Sequence, residues 1–257
     1  MSKSIKIALV QSPIIWEKPS QNRDFFSLKI KSVSEDVDLI VLPEMFTSGF
    51  TMSPERMDEN EGAITVKWMQ EKAKEQNAAI TGSIVETENG YHYNRLYFVE
   101  PNGNISKYDK RHTFTLAGEN EKYEAGNDHL IVEYKGFKIC PMICYDLRFP
   151  VWSRNTFDYD ILMFVANWPK PRVGAWDTLL KARAIENMCY CIGVNRVGVD
   201  EKGLEYVGHS AVYDALGKQL VYSAEEEILE TTINKEHLVE IRNKLRFLED
   251  RDQFKLL

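Results

Sequence analysis

Phe137-Lys138-Ile139-Cys140-Pro141-Met142-Ile143-Cys144-Tyr145-Asp146-Leu147-Arg148-Phe149-Pro150 sets the framework of this chain. Its first half is an apolar run of strand length, which predicts a buried strand. Its second half turns polar and aromatic at once. A residue at the end of a buried strand leaves the core and faces whatever lies above the sheet, and Cys144 stands there. A short helix is expected over Phe149 to Thr156. A helix N-terminus at this corner favours the thiolate, the nucleophilic form, over the thiol. The same strand–turn–helix corner presents a catalytic serine in other α/β enzymes. Cys144 is therefore the candidate nucleophile. The competing assignment is a small buried hydrophobe, the ordinary use of a free cysteine.

Strand-like and helix-like segments alternate on both sides of this stretch. Ile5 to Gln11, Asp38 to Leu42 and Ala78 to Glu86 read as strands. Gln21 to Ser34 reads as an amphipathic helix with Phe25, Leu28 and Ile30 among its apolar positions. Ile64 to Gln76 reads as another, with Trp68 and Ala73 inward. Tyr91 to Glu100 and Ile105 to Tyr108 form a hairpin around Pro101-Asn102-Gly103-Asn104, and Leu130 to Tyr134 and Phe137 to Cys144 form one around Lys135-Gly136. Asp160 to Ala166, Tyr190 to Val197, Tyr206 to Tyr213, Lys218 to Tyr222 and Glu227 to Ile233 are further strands. Trp176 to Met188 is a helix, and Asn234 N-caps a last one over Lys235 to Leu245. So many strands favour two packed mixed sheets over one very wide sheet, with helices on the outer faces. No Pro/Ser/Gly-rich linker interrupts the pattern. One domain is expected over residues 1–257, with a core over about residues 4–234 and a C-terminal helix and tail over 235–257.

The chain has 257 residues, ample for a substantial core. Its formal charge of −7 argues against a broad basic surface for nucleic acid. No segment approaches the roughly 20 apolar residues that span a bilayer. The opening MSKSIKIALVQSP has a short apolar stretch and no small-residue cleavage site, so no signal peptide is expected. Cys140, Cys144, Cys189 and Cys191 form no CxxC pair, and the histidines (His92, His112, His129, His209, His237) show no metal-ligand spacing. The expectation is a cytoplasmic protein with reduced thiols and no metal.

Polar residues follow directly on several buried strands. Glu44 follows Leu39-Ile40-Val41-Leu42 through Pro43, Asn167-Trp168 follow Val165-Ala166, and Asn195-Arg196 follow Val194. In open α/β sheets ligands bind at the carboxyl ends of strands, the edge where Cys144 also sits. A carboxylate at the Glu44 position is partly desolvated, which tends to raise its pKa toward the working range of a general base. Taken singly, Glu44 reads as a surface glutamate after a turn, Lys110 as a solvated charge in Tyr108-Asp109-Lys110-Arg111-His112, and Glu119 as a solvated loop carboxylate.

Taken together, these segments resemble the nitrilase superfamily of carbon–nitrogen hydrolases. The resemblance rests on Pro43-Glu44-Met45-Phe46, Tyr108-Asp109-Lys110-Arg111 and Ile143-Cys144-Tyr145-Asp146-Leu147-Arg148-Phe149-Pro150, in that order, each after a predicted strand. Gly118-Glu119 with Gly126, Ala182-Arg183-Ala184-Ile185-Glu186-Asn187 and Gly193-Val194-Asn195-Arg196-Val197-Gly198 add to it. The similarity spans Ile5 to about Ile233. It implies a four-layer α-β-β-α sandwich and an amide hydrolase without cofactor. It implies Cys144 as nucleophile, Glu44 as general base, and Lys110 with the backbone N–H of Tyr145 as oxyanion donors. Glu119 resembles the family's second glutamate, with Glu121 as a nearby competitor. A thiolate and a prepared oxyanion site split one hard amide step into two.

The flanks of Cys144, the Val165 to Pro169 segment and the Arg172 to Trp176 stretch resemble the omega-amidase branch. That branch implies 2-oxoglutaramate and 2-oxosuccinamate as substrates. Arg148 or Arg172 would hold the carboxylate, and Phe114, Tyr145 and Trp168 would form pocket walls. Against these stand a structural salt bridge for either arginine and core packing for Trp168. Other substrates within the family are deaminated glutathione, N-carbamoyl amines and aliphatic amides. Outside it stand a cysteine–histidine hydrolase using His112 or His209, and a non-catalytic scaffold. The resemblance also implies a homodimer, and the tail residues Leu245, Phe247, Leu248 and Phe254 are candidates to pack on a partner.

Overall fold

The computed structural model describes residues 3–256. Met1 and Ser2, the start of the stretch read for a signal peptide, and Leu257, the end of the tail, lie outside the described residues. In chain order the first half contains β1 (Ser4–Gln11), α1 (Pro19–Lys31), β2 (Leu39–Val41), α2 (Glu61–Gln76), β3 (Ala79–Glu88), β4 (Tyr91–Val99) and β5 (Ile105–Asp109). Then come β6 (Val132–Tyr134), β7 (Phe137–Ile143), β8 (Ile161–Ala166), α3 (Val173–Glu186) and β9 (Tyr190–Asn195). The last elements are β10 (Val197–Val199), β11 (Glu205–Val207), β12 (Ser210–Tyr213), β13 (Gln219–Ser223), β14 (Glu227–Asn234) and α4 (Lys235–Leu245).

The strands form two six-stranded mixed sheets and one small ribbon. One sheet runs β14-β1-β2-β3-β4-β5, the other β13-β12-β9-β8-β7-β6, and β10 pairs with β11 alone. In the first sheet β1, β2 and β3 are parallel neighbours; in the second β7, β8 and β9 are. The two-residue period of a strand explains how the layers stack. Ile5, Ile7 and Leu9 of β1 point toward the second sheet, while Ala8 and Val10 face Phe26 and Ile30 of α1 and Met69 and Ala73 of α2. On the far side Trp176, Leu180 and Ala184 of α3 and Leu238 of α4 join the core of the second sheet. The result is an α-β-β-α sandwich. Both faces of the central strands are covered, so they are apolar throughout rather than alternating. Among the described residues, no helix is long and apolar enough to cross a membrane.

Three local expectations are overturned. Leu28 is 68% exposed, and the buried face of α1 is Asn22, Phe26 and Ile30. Those three are spaced by four and share one helix face, while Leu28 lies two residues, about 200°, away from it. No helix forms over Phe149 to Thr156. A five-residue 3₁₀ turn, Cys144–Arg148, follows β7 directly and stops at Phe149, which is extended (φ −112°, ψ 90°). Pro150 excludes the helical conformation for the residue before it. The strand expected over Tyr206 to Tyr213 is cut into β11 and β12 by Gly208 (φ 69°) and His209 (φ 62°), both left-handed. A Cβ on Gly208 would lie 2.3 Å from the Gln11 side chain, so the break is built on glycine.

The Lys135-Gly136 hairpin and the Asn234 cap form as expected. Lys135 (φ 49°) and Gly136 (φ 81°) are both left-handed, the geometry of a tight primed turn. The Asn234 side chain accepts from the backbone N–H of Glu236 at 2.8 Å.

Candidate active site

The carboxyl ends of β2, β5, β7 and β8 converge, and each delivers one polar residue. Lys110 follows β5, and its Nζ, fully buried, donates to Glu44 Oε1 at 2.9 Å and to Glu119 Oε2 at 2.9 Å. Glu44 follows β2, is also fully buried, and accepts at Oε2 from the backbone N–H of Asn167 at 2.7 Å. Asn167 Nδ2 donates in turn to the Glu44 carbonyl at 2.7 Å. Met45, next to Glu44, has φ 43°. Such a conformation is costly for a side chain with a Cβ, and it is sustained by bonds such as Met45 N–H to Ser83 Oγ at 2.9 Å.

Cys144 is left-handed as well, at φ 45°. Asp146 holds this corner. It is fully buried and accepts from the Ile143 N–H (3.0 Å), the Tyr108 hydroxyl (2.8 Å) and the His112 N–H (2.9 Å). One carboxylate thus ties the Cys144 turn to the segment that carries Lys110. Gly126 explains its own spacing: its N–H donates to the Lys110 carbonyl at 2.9 Å, and a Cβ there would lie 2.2 Å from the Asp109 carbonyl oxygen.

The electrostatics correct one expectation. Burial pushes the Cys144 thiol well above its ordinary range, and the Glu44 carboxylate raises it further against the opposing pull of Lys110. The resting group is therefore a thiol beside a carboxylate. The five-residue turn at Cys144 supplies no helix dipole large enough to reverse this. Burial lowers the Lys110 pKa, but Glu119 and Glu44 together outweigh it and raise the pKa above its usual value, so the ammonium stays charged. Burial raises the Glu119 carboxyl, with Lys110 pulling down and Glu44 pushing up. Of the four cysteines Cys144 is the partly exposed one.

Cys144 opens into a pocket of about 90 Å³. All five residues named as pocket-lining from sequence border it: Phe114, Tyr145, Arg148, Trp168 and Arg172. The Arg148 guanidinium lies 4.9 Å from the Trp168 ring centre and that of Arg172 lies 5.1 Å from the Phe114 ring centre. Among the described residues neither arginine is in an ion pair. The structural salt bridge considered for each is not formed. Trp168 has both of its possible roles: it is 3% exposed, packs 5.5 Å from the Trp176 ring and still forms a wall.

Other candidates fall away from the centre. Glu121 is exposed, while Glu119 is fully buried against Lys110. His112 Nδ1 is 2.8 Å from Asp146 and its ring stacks on Phe149, and His209 faces Asp177 at 3.0 Å. Sequence reasoning missed Asn94, Phe50 and the ribbon residues Asp200, Lys202, Leu204 and Tyr206. It noted Asn167 at a strand end without placing it in the site, though the signal was the one used for Glu44.

The comparisons agree with this geometry. The carbon–nitrogen hydrolase family model matches residues 6–243. Omega-amidase YafV of Escherichia coli K12 is 43% identical over 98% of this chain and 98% of its own length. The 2-oxoglutaramate amidase of Bacillus subtilis is 33% identical over 95% of this chain and 96% of its own. The crystal structure of XC1258 from Xanthomonas campestris, a CN-hydrolase superfamily protein with an arsenic adduct in its active site, superimposes with a TM-score of 0.96 at 42% identity, covering 99% of both chains. Fold, motif order and a match over nearly the whole length place this chain in the carbon–nitrogen hydrolase family.

Proposed function

We propose that this protein is an omega-amidase, hydrolysing the terminal carboxamide of a small 2-oxo acid such as 2-oxoglutaramate or 2-oxosuccinamate to the carboxylate and ammonia. The observation that carries this reading is the junction of two groups of residues. A buried Glu44–Lys110–Glu119 cluster meets Cys144 at the pocket, and two guanidinium groups with no acidic partner among the described residues border the same pocket. The first group suits amide cleavage and the second suits a substrate with a free carboxylate. The two named amidase relatives support the same substrate class.

In this mechanism the Cys144 sulfur attacks the amide carbon while its proton passes to Glu44. The raised thiol pKa makes that base necessary, because little thiolate exists beforehand. Lys110 and the backbone N–H of Tyr145 stabilise the oxyanion; losing one such donor typically costs about 2.7–4 kcal/mol. Tyr145 is the second residue of its helical turn, where an N–H has no partner within the turn. The C–N bond breaks as Glu44 returns the proton to the departing nitrogen, leaving a thioester and ammonia. Water then attacks the thioester as Glu44 accepts its proton; the C–S bond breaks, Glu44 passes that proton to the departing sulfur to restore the thiol, and the acid product leaves as its carboxylate with its proton released to solvent. Glu119 keeps Lys110 charged and aimed.

Ammonia release from 2-oxoglutaramate by the purified protein tests this. Wild type is expected to turn over, and Cys144→Ala to be inactive with an unchanged circular dichroism spectrum. Residual turnover near the wild-type rate removes Cys144 as nucleophile. Turnover only of N-carbamoyl amines, deaminated glutathione or aliphatic amides would keep the chemistry and replace the substrate. The proposal extends to one domain, a homodimer and the cytoplasm. Exposed Phe247, Phe254 and Leu256 in the C-terminal stretch support the dimer, and four unpaired cysteines support a reducing compartment.

A further inference from the structure

Asn94 of β4 is fully buried and touches three members of the cluster at once. Its Nδ2 donates to Glu44 Oε1 at 2.8 Å and to Glu119 Oε1 at 3.2 Å, and its backbone carbonyl accepts the Lys110 backbone N–H at 3.0 Å. The orientation of the amide is fixed by chemistry: turned over, its oxygen would face two carboxylate oxygens, and acceptors do not bond acceptors. Two carboxylates share one ammonium here. The neutral N–H₂ group bridges the same two oxygens, Glu44 Oε1 and Glu119 Oε1, that accept from Lys110, and it does so without adding charge.

From this geometry we infer that Asn94 is a positioning residue for amide cleavage, clamping Glu44 and Glu119 on either side of Lys110 so that Glu44 faces the Cys144 thiol. The inference rests on the catalytic roles proposed above for Glu44, Lys110 and Cys144. The titratable groups facing the Asn94 amide are Glu44, Glu119 and Lys110, with Cys144 and Tyr123 beyond them. Asn94 is not among the residues that border the pocket, so its loss acts on turnover more than on binding. Donated hydrogen bonds also favour the ionised carboxylate. Removing the one to Glu119, whose carboxyl burial already pushes up, favours its neutral form and moves the acid limb of the kcat–pH profile to higher pH.

The test compares wild type, Asn94→Ala and Asn94→Asp on 2-oxoglutaramate across pH, with melting temperature measured alongside. Misplacing a reacting group by about 1 Å can cost on the order of 100-fold. Both variants are expected to lose kcat on that scale with little change in KM, and in Asn94→Ala the acid limb shifts upward. Asn94→Asp keeps the side-chain shape and exchanges donor for acceptor, so it decides the matter if the alanine variant does not fold. A folded variant with wild-type kcat and an unmoved acid limb overturns the inference, as does a change confined to KM. A wild-type protein that releases no ammonia overturns the substrate reading instead, which separates the two failures.

Discussion

At Cys144 the local environment opposes the charge that the chemistry requires. Burial and the neighbouring Glu44 both raise the thiol pKa, and Lys110 lowers it. A nucleophile held as a thiol needs its base in contact, and Glu44 is that base in the proposed mechanism. Arg148 and Arg172 present the opposite case, charges that have no ion-pair partner among the described residues. Guanidinium groups laid over Trp168 and Phe114 keep their N–H edges free for a planar carboxylate. A hydrogen bond to a charged group contributes about 1.5–3 kcal/mol, on the order of 10- to 100-fold in affinity. Replacing the arginine that holds the carboxylate with alanine is expected to raise KM for 2-oxoglutaramate on that scale, and KM for a neutral aliphatic amide hardly at all. Steady-state kinetics of Arg148→Ala and Arg172→Ala on both substrates identify it. Equal effects on the two substrates take that arginine out of carboxylate binding.

At the level of elements, the site depends on how strand ends are tied together. The segment after β5 carries Lys110 and runs against Gly126, whose missing Cβ leaves room for the Asp109 carbonyl. Gly126→Ala would place a methyl 2.2 Å from that oxygen, so backbone must move. Overpacking of this kind typically costs about 1–3 kcal/mol. The expected result is a lower melting temperature together with reduced kcat, because the displaced backbone carries Lys110. Full activity with wild-type stability would show that the loop yields freely. The same level explains what could be read in advance. β7, its hairpin and the capped α4 follow from local pattern, since apolar run, turn residues and cap lie within a few positions of each other. The helix expected over Phe149 to Thr156 was misplaced: the helical turn begins at Cys144 itself, and Pro150, acting backwards on Phe149, ends it. The β10–β11 ribbon was hidden because Gly208 and His209 break one apolar alternation into two strands. Asn94 was illegible for a deeper reason: its side-chain partners lie 50 and 25 residues away, and an asparagine inside a strand carries no local sign of them. Cys144 and Glu44 were marked by their places at the ends of buried apolar runs, while Lys110 and Glu119, each in an ordinary charged loop, were legible only through family resemblance.

Across the molecule, the pocket belongs to neither sheet alone. Glu44 and Lys110 come from the carboxyl ends of β2 and β5 in the first sheet, Cys144 and Asn167 from β7 and β8 in the second. The Asn167 N–H that bonds Glu44 at 2.7 Å crosses between them. The distance between reacting groups is thus set by the apolar side chains that separate the sheets. Phe98 of β4 is one of these, 1% exposed and 5.6 Å from the Tyr134 ring of β6 across the interface. Phe98→Ala leaves a cavity there and is expected to cost about 3–5 kcal/mol. If the sheets form one cooperative unit, as the proposed single domain requires, urea should remove ammonia release and far-ultraviolet circular dichroism in one coincident transition. The Phe98→Ala midpoint should fall in both probes together. Activity lost well before secondary structure, in either protein, would mean that the sheets separate before they unfold and that the pocket is a junction between two units.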